Sequence, residues 1–278
     1  MEGGPCLRGF SVSEVVLITG ASTGIGKAAA LHFHQRGWRV AATMRSPEKC
    51  DWAPQDERFL LVPLDVTDTD SIAAGLAQVL ERWAEVDVLI NNAGYGLVGP
   101  FEGTDPEQVR RQFETNVFGL MNVTRALLPH FRQKRRGAIL NVSSVGGRVT
   151  FPLYSCYHST KWAVEGFSES LQFELKPFNI KVKLIEPGAI KTEFYDRSQD
   201  RVDAPDYQPF YDKTMDRLQK AGHNAPGPEL VAQTLWNAAT DNSWKLRYPV
   251  NSADVLWFRK LAPEGFFRAF IGWYLMRK

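Results

Sequence analysis

The chain has 278 residues, 44% of them hydrophobic and 23% charged, which are globular values that exclude intrinsic disorder. Its 33 basic and 31 acidic side chains leave a formal charge of +2, too balanced for a nucleic-acid binder working through a general positive field. Three widely spaced cysteines, Cys6, Cys50 and Cys156, suggest neither a disulfide framework nor a metal site. No apolar run reaches the roughly 18 residues of a membrane span, and a reducing, cytoplasmic compartment is expected.

Residues 1–13 lack the apolar core of a signal peptide and read as an N-terminal extension. The β-branched run at 15–18 reads as a buried strand ending at Thr19-Gly20, and residues 24–36 follow with helical spacing closed by Gly37. Strands are expected at 38–43 and 59–64, a helix at 70–83, a strand at 86–90 and a long helix at 106–132. A strand at 137–142, a helix at 154–175 and a strand at 180–185 come next. Residues 190–227 are polar and aromatic and are expected to cover a substrate. A helix at 229–239 and a seventh strand at 246–250 precede an aromatic tail that Pro263 and Gly265 split into two short helices. Strands alternating with helices predict an α/β fold, a doubly wound parallel sheet in one domain spanning 14–278. Ligands of such sheets sit at the carboxyl ends of the strands.

The first such end carries Gly20-Ala21-Ser22-Thr23-Gly24-Ile25-Gly26 between strand and helix. The glycines permit a tight turn, close approach of a pyrophosphate and tight helix–sheet packing, while the helix start offers free N–H groups to phosphate. At the end of the second strand stands Arg45, with no carboxylate before Glu48. A carboxylate there would select the ribose hydroxyl of NAD, whereas an arginine suits the 2′-phosphate of NADP(H), the expected cofactor. Asp65 closes the third strand and is expected at the adenine or as a helix cap, with Val66 beside it among the cofactor contacts.

Tyr157 and Lys161 are four apart in a helical segment and share a face. An ammonium beside a tyrosine favours the phenolate, so the pair is expected to have a lowered tyrosine pKa and to work as an acid–base unit. Ser143 and Ser144 end the fifth strand, where a serine hydroxyl reaches a substrate oxygen or merely shapes the turn. Asn116, inside a helix, is either networked or faces solvent. Cys156 reads as a small packed side chain and His158 as a helix-face residue. The histidines show no metal spacing.

Together these residues resemble the short-chain dehydrogenase/reductase family from about Val15 onward. The matches run in order: the glycine loop, Asn91-Asn92-Ala93-Gly94, Asn116, Ser144 placed 13 residues before Tyr157, the Tyr157-x-x-x-Lys161 pair, and Pro187-Gly188 followed by Thr192. The resemblance implies a Rossmann-type fold and a tetrad of Asn116, Ser144, Tyr157 and Lys161. Tyr157 would protonate a carbonyl oxygen that Ser144 polarises. Lys161 would lower the tyrosine pKa and hold the nicotinamide ribose. Asn116 would hold a water leading from Lys161, and Ile190 and Thr192 would hold the carboxamide. It also implies a homodimer or homotetramer formed through the helices of Asn116 and Tyr157.

Phe194, Tyr195, Tyr207, Phe210, Tyr211 and Met215 after Thr192 suit a bulky apolar ketone or aldehyde, steroid-like, retinoid-like or aryl. For the aromatic tail, packing over the pocket or at an interface is favoured over peripheral membrane contact. The competing readings are a non-catalytic NADP sensor and a sugar-nucleotide epimerase or dehydratase on the same scaffold.

Overall fold

Short β-branched strands buried on both faces dictate the architecture. In the computed structural model, which describes residues 14–196, 198–202 and 204–276, β1 (Val15–Ile18), β2 (Arg39–Met44), β3 (Phe59–Pro63) and β4 (Val88–Asn91) form one half of a sheet. The small β5 (Gly96–Val98) stands apart. β6 (Gly137–Val142) and β7 (Ile180–Pro187) continue the main sheet. β8 (Gln199–Arg201) pairs with β5, and β9 (Arg247–Val250) forms the far edge. The seven-stranded sheet has the order β3-β2-β1-β4-β6-β7-β9 and every pairing is parallel. The expectation for residues 1–13 falls outside the described residues, as do Arg197, Asp203, Arg277 and Lys278.

Alternate residues of each strand feed opposite cores. Val16, Ile18, Val40 and Ile90 pack on Ala29, Ala30 and Phe33 of α1 (Gly24–Gln35) and on Val231 and Leu235 of α7 (Glu229–Thr240). Val15, Leu17, Ala41 and Leu89 pack on the other face, against α2 (Thr69–Trp83), α4 (Leu120–Lys134) and α5 (Ser155–Leu175). The order reverses between β1 and β4, which opens a crevice at their carboxyl ends.

One expectation needs correction. The single helix expected at 106–132 is α3 (Pro106–Phe113), a π-helical turn (Glu114–Gly119) and α4, running on to Lys134. The stretch at 190–227, expected as a polar and aromatic cover and given no element from sequence, contains β8 and α6 (Phe210–His223). Tyr211, Met215 and Leu218 carry the helical spacing there. The tail forms α8 (Ala253–Leu261) and α9 (Glu264–Met276) as expected. Phe267, Ile271 and Leu275 of α9 pack on Val145 and Val149, so the tail lies over the crevice.

Candidate active site

The crevice is a cavity of about 1190 Å³. The residues predicted to face a dinucleotide line one half of it: Gly20, Ser22, Thr23, Gly24 and Ile25 from the first loop, then Arg45, Asp65 and Val66. Gly20 has φ +64°, and a β-carbon on it would stand 2.7 Å from the Ala93 Cα, so neither its backbone nor its space admits a side chain. Thr23 precedes α1 without a side-chain cap, and the first turn of α1 holds no acidic residue. Its amide groups therefore remain available to an anion. The Arg45 side chain is exposed at the end of β2, and among the described residues no carboxylate pairs with it. A bare amide cradle with a free guanidinium beside it fits a phosphate-rich cofactor.

Asp65 does not cap the helix. Its Oδ1 accepts from the Thr67 amide and hydroxyl, while Asp68 caps α2 through the amides of Asp70 and Ser71. Two predicted contacts lie behind the cavity wall. The Asn91 amide donates to Thr124 Oγ1 and Asn141 Oδ1, tying β4 to α4 and β6. A β-carbon on Gly26 would fall 2.3 Å from the Gly20 carbonyl oxygen, so this glycine serves packing. Asn92, Ala93 and Gly94 do line the cavity. Asn92 Nδ2 donates to the carbonyls of Thr19 and Gly20, which sews the ends of β4 and β1 together.

Ser144, Tyr157 and Lys161 converge on the other half, with Pro187, Gly188, Ile190 and Thr192 beside them. Ser144 Oγ accepts from the Gly146 amide at 3.0 Å, lies 3.4 Å from the Pro187 carbonyl and reaches the Tyr157 hydroxyl. Ser143 Oγ is buried without a partner among the described residues, so Ser144 is the serine aimed at the tyrosine. Lys161 Nζ donates to the Val142 carbonyl at 2.9 Å and lies 5.7 Å from the centre of the Tyr157 ring.

The expected lowering of the tyrosine pKa is not found. Burial pushes the Tyr157 hydroxyl up to about 12, and the Ser144 hydrogen bond offsets only part of that. Burial likewise pushes the Lys161 ammonium down to about 8, against a pull upward from Glu165. Desolvation dominates both shifts because neither charged form has water around it.

Asn116 is networked and does not face the cavity. Its Oδ1 accepts from the Tyr95 amide at 3.0 Å, and its Nδ2 donates to the Tyr95 carbonyl at 2.8 Å and to Thr160 Oγ1 at 3.1 Å. Both donors are therefore spent, and the residue clamps a backbone rather than holding a water through its amide nitrogen. The π-helical turn sets it in register with Tyr95.

His158 lies on a face of α5 as expected, and the fold covers that face. It is buried, lines the cavity and accepts from the Phe151 amide through Nδ1, and burial pushes its pKa down to about 4. Cys156 packs with Leu97 and Val202, as expected of a small side chain. Tyr154, Phe194, Tyr195, Leu218, Val255, Phe270, Ile271 and Tyr274 complete the apolar wall. Of the aromatic and apolar residues expected to line it, Phe194 and Tyr195 do so, whereas Tyr207, Phe210, Tyr211 and Met215 are not among its lining residues, and Phe210, Tyr211 and Met215 pack in a core beside Tyr157 and Phe194.

A nucleotide-ready α/β crevice with a Ser–Tyr–Lys cluster is the arrangement of a dinucleotide-dependent oxidoreductase. The sequence profile of the short chain dehydrogenase family matches residues 14–203, so the chain belongs to the short-chain dehydrogenase/reductase family and is an oxidoreductase. It is 39% identical over 265 residues to the uncharacterized oxidoreductase YusZ of Bacillus subtilis (strain 168), covering 90% of this chain and 94% of that one. It is 37% identical over 225 residues to a 3-ketodihydrosphingosine reductase of Bacteroides thetaiotaomicron, covering 80% and 82%. The structure of ElxO with NADP bound superposes with a TM-score of 0.71 at 27% identity, covering 86% of this chain and 97% of that one. No described helix is long and apolar enough to cross a membrane.

Proposed function

We propose that this protein is an NADP(H)-dependent carbonyl reductase or alcohol dehydrogenase acting on a bulky apolar ketone or aldehyde. One observation carries the reading: Ser144, Tyr157 and Lys161 open into the same cavity as the amide cradle of α1, under a roof of aromatic side chains. Bound NADPH supplies the hydride. Ser144 orients the substrate oxygen by donating its hydroxyl proton, and Tyr157 delivers a proton to that oxygen as it gains charge. A tyrosine pushed up to about 12 is fully protonated at neutral pH, which suits it to the acid role in reduction. Lys161 and the backbone around Gly188 and Thr192 hold the nicotinamide side, while Arg45 holds the 2′-phosphate. The apolar wall excludes water and favours a large hydrophobic substrate. A relative named as a reductase of a 3-keto compound supports a ketone as the reacting group.

The exposed Trp162 and Phe173 of α5, with Phe118 of the π-helical turn before α4, supply an apolar face for a homodimer or homotetramer. NADPH oxidation against a panel of bulky ketones and aldehydes tests the proposal. Turnover with NADPH that vanishes in Tyr157→Phe, with cofactor binding retained, supports it. Tight NADPH binding by the wild type without turnover on any panel member favours the sensor.

A further inference from the structure

Three segments build the reacting end of the site: 143–148, 157–165 and 186–188. Each also sends one charged side chain into a single buried cluster behind it. Glu186, at 1% exposure, accepts from Arg148 Nη1 at 3.1 Å and lies 3.2 Å from Arg247 Nε. Glu165, at 4% exposure, accepts from the same Arg247 Nε at 3.0 Å, and Arg247 Nη2 reaches the exposed end of Glu169 at 2.6 Å. Two buried carboxylates, Glu165 and Glu186, thus share the Arg247 guanidinium, with Arg148 and Glu169 at the more exposed ends of the cluster.

Glu165 stands one helical turn beyond Lys161 on α5. A β-carbon at Gly147 would lie 2.8 Å from Glu165 Cγ, 2.9 Å from Ser143 Oγ and 3.1 Å from the Lys161 carbonyl oxygen, so these groups meet at one point. Glu165 Oε1 and Ser143 Oγ, both buried, have no partner among the described residues. The charged groups facing Glu165 are Lys161 and Glu169 on its own helix, Glu186 on β7, Arg247 on β9 and Arg148 after the turn at 145–147.

We propose that Glu165, supported by Glu186 through Arg247, is a positioning residue that keeps Lys161 an ammonium. That role presupposes that Tyr157 and Lys161 are the acid–base pair. Burial drives Lys161 toward its neutral form near working pH, and the Glu165 charge is the counterweight. Glu186 holds a proton up to about pH 7, because burial and the charge of Glu165 both resist its ionisation. The cluster therefore gains its full negative charge only as the pH rises through neutrality, the range in which Lys161 begins to lose its proton.

The test is the titration of Lys161 itself. Competitive acetylation of the full-length protein by acetic anhydride, read by peptide mass spectrometry from pH 6 to pH 10, reports the fraction of neutral amine. Glu165→Gln is expected to move the Lys161 midpoint down by about one pH unit. Glu186→Gln is expected to move it in the same direction by less, and Glu165→Asp to recover at least half of the shift. Glu169→Gln is expected to leave it in place, since that carboxylate is held at the solvent end. An unchanged midpoint in folded Glu165→Gln, or an equal shift in Glu169→Gln, overturns the proposal. Should Glu165→Gln fail to fold, an unchanged midpoint in Glu186→Gln overturns it instead. The measurement needs neither cofactor nor substrate, so its outcome is separate from whether the protein reduces the panel of carbonyl compounds.

Discussion

The two walls of the cavity are made of different material. The wall from β1 to β4 is largely backbone: an uncapped helix start, glycines without room for a β-carbon, and strand ends sewn together by Asn92. The wall from α6, α8 and α9 is largely side chain: Leu218, Val255, Phe270, Ile271 and Tyr274. A backbone wall has one shape and binds one kind of ligand. A side-chain wall can be re-cut by single substitutions without disturbing the sheet behind it. Ser144, Tyr157 and Lys161 stand at the seam between the two.

Substitution at the seam is expected to have the largest effect. Tyr157→Phe should lower kcat by about 1000-fold, as expected for loss of a general acid, with NADPH binding intact by fluorescence titration. Comparable turnover in the variant would detach the chemistry from the seam. Lys161→Met should abolish activity yet stabilise the fold. The Lys161 pKa lies at about 8 in the folded protein against 10.5 for a lysine in water, so the folded protein resists protonation. The wild type therefore loses stability as pH falls from 10.5 through about 8, and the deficit is complete below that. The variant escapes up to about 3 kcal/mol of this deficit and forfeits about 1 kcal/mol with the hydrogen bond to Val142. Its Tm should exceed that of the wild type at pH 7 and fall below it by pH 10.5.

On the backbone wall, Arg45→Ala should cut the preference for NADPH over NADH by about 10- to 100-fold, the worth of a charge-assisted contact. The ratio of kcat/KM for the two cofactors measures it, and an unchanged ratio would remove Arg45 from the phosphate site. The smallest effect belongs to the other wall. Phe270→Ala should raise KM for a bulky ketone by roughly threefold to tenfold while leaving a small ketone unaffected. A general loss with both ketones would mean that α9 supports the fold rather than shapes the pocket.

The backbone wall was also the legible one. Its chemistry depends on residue types that few other situations demand, at spacings set by a strand, a turn and a helix start, so Gly20, Arg45 and Asn92 could be placed from sequence. Asn91 faces the packed side because alternate residues at a strand end point in opposite directions, and Gly26, in the first turn of α1, does so because it backs onto the Gly20 carbonyl. The direction of the Tyr157 shift was not legible, since it depends on how much water surrounds the ring, a property of the fold. The burial of His158 was not legible for the same reason: helical spacing places it on a face but does not say that the face is covered. The helix at 210–223 was masked by Pro205 and Pro209, although Tyr211, Met215 and Leu218 keep its period.

The little β5–β8 ladder links the two walls. Asn116 grips the amide and the carbonyl of Tyr95, the residue just before β5. β5 is paired in turn with β8, at the root of the segment that leads to α6. An asparagine in a helix on one side of the crevice thus anchors, through one clamped peptide and three paired rungs, the base of the cover on the other side. Such an anchor gives the base of the cover a fixed pivot, about which α6 is expected to move as a flap. Slow hydrogen exchange at Tyr95, Gly96 and Val202, against faster exchange along α6, is the mark such a pivot leaves, and shortening Asn116 to alanine would erase it.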